Sequence, residues 1–263
     1  MSERGIRAFG LSPTRRGPID DVGMPAPPSG AGTATSSPVL DVVIVGGGVI
    51  GCAIARELTR YELAVGLLER ETDVGFGTSK ANSGIIHAGH HSPSGTLKGP
   101  LEWSGYQQWG PLADELGISF DRVGDLTVAF EPEEMETLHG LLGQARERDI
   151  PGVGLWDRDR LAREEPNLNP AAIGAVFAPT TGVINPYEAC FALAEDAVAN
   201  GLTLLLDAPV TAIHPGPDGL ELTTPDRRVR ARFVINAAGL GADRIERMLG
   251  LHSFDLIARK GEE

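Results

Sequence analysis

Two groups of residues in this 263-residue chain have the types and spacing that chemistry needs. The segment TSKANSGIIHAGHH, residues 78–91, gathers three of the six histidines, His87, His90 and His91, among Ser, Asn and Gly. Imidazole titrates near neutral pH and ligates metals, so the cluster reads as a proton-transfer site, a metal site or a polar turn. The second group is GGGVIG, in which Gly46, Gly48 and Gly51 make a G-x-G-x-x-G pattern, with Glu69 eighteen residues beyond Gly51. In such a pattern the first glycine permits a tight turn, the second lets backbone approach a pyrophosphate, and the third lets helix and strand pack closely. The phosphates rest on the helix N-terminus, where unpaired N–H groups and the helix dipole favour negative charge. An acid at Glu69's spacing bonds a ribose hydroxyl.

The surrounding elements have the order this chemistry requires. Val42 to Val45 is a β-branched run, as a parallel strand covered on both faces demands. Ile50, Ile54 and Leu58 recur at helical spacing, with Ala53 and Ala55 small enough to lie against a sheet. LAVGLLERE reads as the next strand, ending at Glu69. Cys52, at the helix start, reads as packing. The sheet resumes with a strand over Phe233 to Asn236, then Ala237, Ala238 and Gly239, whose small side chains leave ligand space at a strand's C-terminal end, then an amphipathic helix. PYEACFALAEDAVANG is a helix closed by Asn200-Gly201. LTLLLDAPVTAIH and LELTTPDRRVRA supply short strands around turns at Pro215 to Gly219 and Pro225-Asp226. From about His91 to Pro186, helical patterns alternate with strand-like runs, an inserted α+β unit. Trp103, Trp109 and Trp156 are candidates to line its crevice, although aromatic residues on helices are more often core. Lys98 could attract a phosphate-bearing substrate, against the simpler reading of a solvated surface lysine. Pro100 places a helix start nearby, since proline is tolerated in a first turn.

Composition bounds the function. With 23 basic and 36 acidic residues, the net charge of −13 disfavours nucleic acid, which needs a basic face. Two cysteines, Cys52 and Cys190, fit a reduced cytosolic protein. No apolar run reaches the roughly 18 residues that spanning a bilayer takes. Residues 1–38, rich in Pro, Gly, Ser and Arg, read as a disordered leader. Arg15-Arg16 lacks the apolar stretch an export signal needs.

The glycine motif with Glu69, together with TSKANSGIIHAG, PSGTLK, VGDLTVAF, GVINPYEACFALAEDAVANG and VINAAG, resembles the flavin-dependent glycerol-3-phosphate dehydrogenases, especially the anaerobic large-subunit type, within the D-amino-acid-oxidase-like FAD oxidoreductases. L-2-hydroxyglutarate oxidases carry a similar Asn-Ser-Gly-Ile-His loop. The resemblance implies an α/β fold: a Rossmann-like FAD-binding domain in residues 39–90 and 187–252, interrupted by an inserted α+β substrate (cap) domain in 91–186. Residues 253–263 would begin a return to that cap, so the fold is expected to be incomplete at the C-terminus and the chain a truncated product. FAD would be held by Gly46, Gly48, Gly51, Glu69, Arg70, Ser79, Asn82, Ser83, Gly84, Val210, Ala238 and Gly239. His87 would be the catalytic residue, positioning a substrate hydroxyl or accepting its proton. Flavin chemistry needs no metal and Gly89 interrupts any regular scaffold, so none is expected on His87, His90 and His91. The implied activity is oxidation of glycerol 3-phosphate, with electrons passed to a quinone or partner subunit. The implied location is the cytoplasm, with a peripheral place on the inner membrane's cytoplasmic face as an alternative. Rival readings are a 2-hydroxy-acid or amino-acid oxidase, a nicotinamide enzyme using the same glycine turn, and a non-catalytic nucleotide-binding module.

Overall fold

The computed structural model describes residues 39–259 and 261; the leader reading of 1–38 lies outside them. In chain order the first elements are β1 (Leu40–Val45), α1 (Val49–Leu58), β2 (Val65–Leu68), β3 (Ile85–Ile86), α2 (Lys98–Leu116), β4 (Phe120–Asp121), β5 (Asp125–Ala129) and α3 (Glu134–Glu147). There follow β6 (Gly154–Asp157), α4 (Arg158–Glu164), β7 (Gly174–Ala178), β8 (Gly182–Ile184), α5 (Pro186–Ala199), β9 (Thr203–Leu205), β10 (Ala212–Gly216), β11 (Gly219–Thr223), β12 (Arg228–Asn236) and α6 (Ala242–Arg247). The chain divides into two compact units: the described residues up to Val74 with Ala194–Ala258, and Gly75–Leu193 with Arg259 and Gly261. Those boundaries fall after Val74 and Leu193, whereas the sequence reading places them near residues 90 and 186.

The first unit is built on a six-stranded sheet in the order β10-β11-β12-β1-β2-β9. β1 pairs parallel with both β2 and β12, and β2 pairs parallel with β9. Val42 through Val45 are buried, as a central parallel strand with both faces covered requires. Val43, Val45 and Leu68 pack on one face with Ile213, Leu222 and Ile245, while Ile44, Val65 and Leu67 pack with Ala55 and Ala197. Each large aliphatic side chain buried in this way contributes about 1.5–3 kcal/mol.

α1 turns a different face to the sheet from the one the spacing predicts. Its buried residues are Gly51, Cys52 and Ala55; Ile54 and Leu58 are partly buried, Ala53 is exposed and Ile50 is 64 % exposed. The glycine and alanine bring the helix close, so the small residues set the contact face. β12 is longer than the predicted Phe233–Asn236 strand. Arg228 to Ala231 pair antiparallel with β11, and Ala231 to Asn236 run parallel to β1, so one strand carries segments that read as separate.

The second unit holds two three-stranded sheets, β3-β8-β4 and β5-β7-β6, whose pairs are all antiparallel. α3 packs Leu138, Leu141 and Leu142 against Ala129 and Val176. α2 starts at Lys98, so Pro100 falls in its first turn, where the missing N–H has no intrahelical partner to lose. The three tryptophans are packing residues. Trp156 joins the cluster of Leu161 and Ala175, Trp103 lies against Ala88, Ala145 and Ile150, and Trp109 against Ala113 and Ile118. Residues 251–259 form no strand, and Arg259 groups with the second unit. No helix among the described residues is long and apolar enough to cross a membrane.

Candidate functional site

In the first unit Gly46, Gly48, Gly51, Glu69, Ala238 and Gly239 lie around the C-terminal end of β1. Gly46 leaves the strand with φ +109°, and a Cβ there would lie 2.5 Å from the Ala237 carbonyl oxygen, so the two strand-end turns touch through glycine. The Ala237 N–H donates to the Val45 carbonyl at 2.9 Å, which locks the later small-residue segment beside the glycine turn. A Cβ on Gly51 would sit 1.9 Å from the Gly46 carbonyl oxygen. The third glycine is therefore required by the turn's own backbone, folded back over the first helical turn. Gly48 is the N-cap of α1 in extended conformation (φ −74°, ψ 176°), with no side-chain cap and no acid in the first turn. The helix's own first turn thus supplies no acid, and the N–H groups beyond Gly47 are left for an anion.

Glu69 is buried at 8 % exposure and accepts two backbone bonds, Gly47 N–H to Oε2 at 2.5 Å and Glu71 N–H to Oε1 at 2.9 Å. It thus braces the glycine turn from the end of β2. Each carboxylate oxygen has a second lone pair, so this bracing is compatible with a hydroxyl donor. Ala238 and Gly239 follow β12, and Gly239 (φ +53°) opens a 3-10 turn through Gly241. Arg70 is exposed and pairs with Glu71 at 2.9 Å, and Val210 packs on the sheet core. Cys52 is buried with its thiol 3.3 Å from the Gly47 carbonyl oxygen, a packing role.

The second unit contains Ser79, Asn82, Ser83, Gly84 and His87. Asn82 organises this loop: its Nδ2 donates to the carbonyls of Ser79 (2.7 Å) and Thr78 (3.3 Å), and its Oδ1 accepts from the Gly84 N–H at 2.8 Å. Gly84 has φ +69°, and a Cβ there would meet the Ile184 carbonyl at 2.2 Å. Its glycine is thus explained by β8. Ser79 bonds the buried Cys190 thiol, whose pKa is raised by burial against that bond's opposing pull. Ser83 is exposed.

Beyond this loop, His87, His91 and Asp125 bring one ligand-capable atom each to within 4.8 Å of one another. His90 is fully buried instead, its Nε2 3.5 Å from Asp125 Oδ1. Burial, then the neighbouring His91, lowers the His87 pKa; the same two causes push His90 down to about 4. Burial disfavours the Asp125 anion, but the His91 bond, the nearby imidazoles and the Thr181 hydroxyl outweigh it, and its pKa is lowered. Asp125 is the site residue that the sequence reading misses. It is a lone acid opening the strand DLTVA, a pattern that carries no signal of the loop it faces. Lys98 is exposed and paired with Glu102 at 3.6 Å, as the solvated reading has it.

A parallel sheet with a glycine turn and a small-residue turn at neighbouring strand ends defines a dinucleotide-binding protein. Residues 41–262 match the DAO family, FAD dependent oxidoreductase, and the chain belongs to it. It is 41 % identical over 224 residues to a glycerol 3-phosphate dehydrogenase of Caloramator mitchellensis, covering 85 % of this chain and 47 % of that protein. It is 30 % identical over 242 residues to the human mitochondrial L-2-hydroxyglutarate dehydrogenase, covering 87 % of this chain and 52 % of that one. Among solved structures, the dithionite-reduced L-alpha-glycerophosphate oxidase of Mycoplasma pneumoniae with FAD bound superposes with a TM-score of 0.78 at 30 % identity, over 83 % of this chain and 59 % of that one. The chain thus spans about half the length of the relatives it matches.

Proposed function

We propose that this chain is the dinucleotide-holding part of a dehydrogenase that oxidises the secondary alcohol of glycerol 3-phosphate to the ketone of dihydroxyacetone phosphate. The observation that carries the substrate reading is the 41 % identity to a glycerol 3-phosphate dehydrogenase, against 30 % to an L-2-hydroxyglutarate dehydrogenase over a similar share of the chain. The residues present fit FAD: a turn that closes only with glycine at positions 46 and 51, and a helix whose first turn carries no acid.

FAD, when bound, supplies the acceptor for the hydride that leaves the carbinol carbon. Gly46, Gly48 and Gly51 would seat the pyrophosphate on the α1 N-terminus, and Glu69 would accept from a ribose hydroxyl with Arg70 beside it. Val210, Ala238 and Gly239 complete the set in this unit. Ser79, Asn82, Ser83 and Gly84 are the proposed contacts for the flavin end, given the loop's resemblance. His87 orients the substrate hydroxyl and takes its proton. The lowered His87 pKa keeps the imidazole neutral at pH 7, the form that can accept one. On this reading residues 39–90 and 187–252 form the FAD domain and 91–186 part of a cap. The electrons pass on to a quinone or a partner subunit, in the cytoplasm or, as the alternative, at the inner membrane's cytoplasmic face.

The 30 % identity to an L-2-hydroxyglutarate dehydrogenase supports a second reading, a 2-hydroxy acid as substrate. Anaerobic absorbance of the FAD-loaded protein separates the two. Glycerol 3-phosphate should bleach the flavin band and L-2-hydroxyglutarate should not; the reverse pattern would select the second substrate.

A further inference from the structure

Asp125, His90 and His91 stand around His87, and the proposed flavin chemistry uses none of those three. Asp125 opens β5, and its Oδ2 accepts from the Thr181 hydroxyl at 3.1 Å. The Gly124 N–H donates to the Thr181 carbonyl at 2.8 Å, so backbone fixes the acid against the turn between β7 and β8. The histidine loop is anchored separately. Arg148 donates to the Gly89 carbonyl at 3.0 Å, and the buried Ser92 hydroxyl bonds Glu102 on α2. His87 and His91 are therefore brought to Asp125 by a scaffold that is already bonded in place.

The His91–Asp125 contact is a long hydrogen bond as it stands, and its spacing also suits two ligands of one metal ion. His91 Nε2 lies 3.4 Å from Asp125 Oδ2. N–H···O bonds are usually about 2.7–3.2 Å long. Two ligands on a tetrahedral ion with bonds of about 2.0–2.1 Å stand about 3.3–3.4 Å apart. The His87 and His91 rings meet edge to face with centroids 5.4 Å apart, and a nitrogen of each falls inside the 4.8 Å limit with the carboxylate.

A second observation points the same way. His90 is 0 % exposed and neither of its ring nitrogens has a hydrogen-bond partner, although Nε2 faces Asp125 Oδ1 at 3.5 Å. Asp125 Oδ1 is likewise buried without a hydrogen bond. A buried imidazole and carboxylate oxygen left facing each other are costly as they stand. They become useful if a small shift of Asp125 onto an ion closes that contact, because metal-ligating carboxylates are held by just such outer partners.

We propose that His87, His91 and Asp125 bind one divalent transition-metal ion of the zinc type, with solvent completing the coordination and with Thr181 and His90 holding the carboxylate. Two imidazoles and one carboxylate suit zinc and its borderline neighbours, whereas magnesium and calcium take all-oxygen sets. The site shares His87 with the flavin reading, but its three ligands and their supports need no dinucleotide to assemble. An imidazole that ligates through its free nitrogen cannot also take a proton there, so metal occupancy would block the role assigned to His87.

The test is calorimetric titration of the tag-free, metal-stripped chain with zinc chloride in the absence of FAD, with cobalt(II) in parallel for its visible absorption. Wild type should take up one equivalent of zinc that magnesium does not displace, and the cobalt form should show ligand-field bands of an imidazole-containing site. His91→Ala and Asp125→Asn should abolish that equivalent. Thr181→Val, a near-isosteric change that keeps the fold, should weaken it about tenfold. His214→Ala, at an exposed position of β10, should leave it unchanged. Absence of saturable uptake by wild type, or wild-type affinity in Thr181→Val and in folded His91→Ala, would overturn the proposal whatever the chain does with FAD.

Discussion

Glu69 serves the turn before it serves any ligand. Its place at the end of β2 is readable from the glycine spacing, but its bonds to Gly47 and Glu71 are not, because they depend on how the turn folds back over the strand end. His90 makes a sharper case. Sequence places it in a polar loop, and the structure buries it completely beside Asp125. Its pKa is about 4 in the folded chain, against about 6.5 for a free imidazole. Above about pH 6.5 both states are neutral there and pH has no leverage through this group. Between about 6.5 and 4 the unfolded chain takes up a proton that the folded chain refuses, so stability falls as pH falls. The full loss comes to roughly 3 kcal/mol. Urea denaturation at pH 7, 6, 5 and 4.5 should show that decline, and His90→Asn should reduce it, leaving the share that the lowered His87 pKa contributes. A wild-type curve level across the window would rule out a neutral, buried His90. Asp125 was illegible for a related reason: one acid in a strand says nothing about which distant loop it faces.

Among the elements, the strands and helices followed from periodicity, but the faces they bury did not always. Residues 42–45 could only be a central strand, and Gly46 could only end it, since its φ of +109° and the Ala237 carbonyl leave no room for a side chain. α1 departs from its apolar spacing because backbone contact at Gly51 rotates the helix, leaving Ile50 outward. β12 hides its length because its first half lies among antiparallel partners and its second among parallel ones. A methyl group on Gly51 tests this account. Gly51→Ala should cost roughly 1–3 kcal/mol and lower Tm, because the new atom must displace the Gly46 carbonyl. An unchanged Tm would mean that the turn is looser than the structure shows. Gly143→Ala, a helical position with open space around it, is the control and should be neutral or stabilising.

For the molecule as a whole, membership of the FAD dependent oxidoreductase family and the two-unit organisation agree with the interrupted α/β fold that the motifs suggest. What sequence patterns could not supply is where the contact division falls. Residues 75–90 belong with the second unit because Gly84 and β3 pair with β8, a link between segments about a hundred residues apart. The central claim is that the turn from Gly46 to Gly48, beside Ala237 to Gly239, holds the pyrophosphate of FAD. Gly48→Asp addresses it most directly. The Gly48 backbone is extended and aspartate is a favoured N-cap, so the variant should fold at least as well as wild type, while its carboxylate occupies the anion site and repels phosphate. FAD titration followed by flavin fluorescence should show one equivalent bound to wild type and none to the folded variant. Equal FAD affinity in the two proteins would contradict the account.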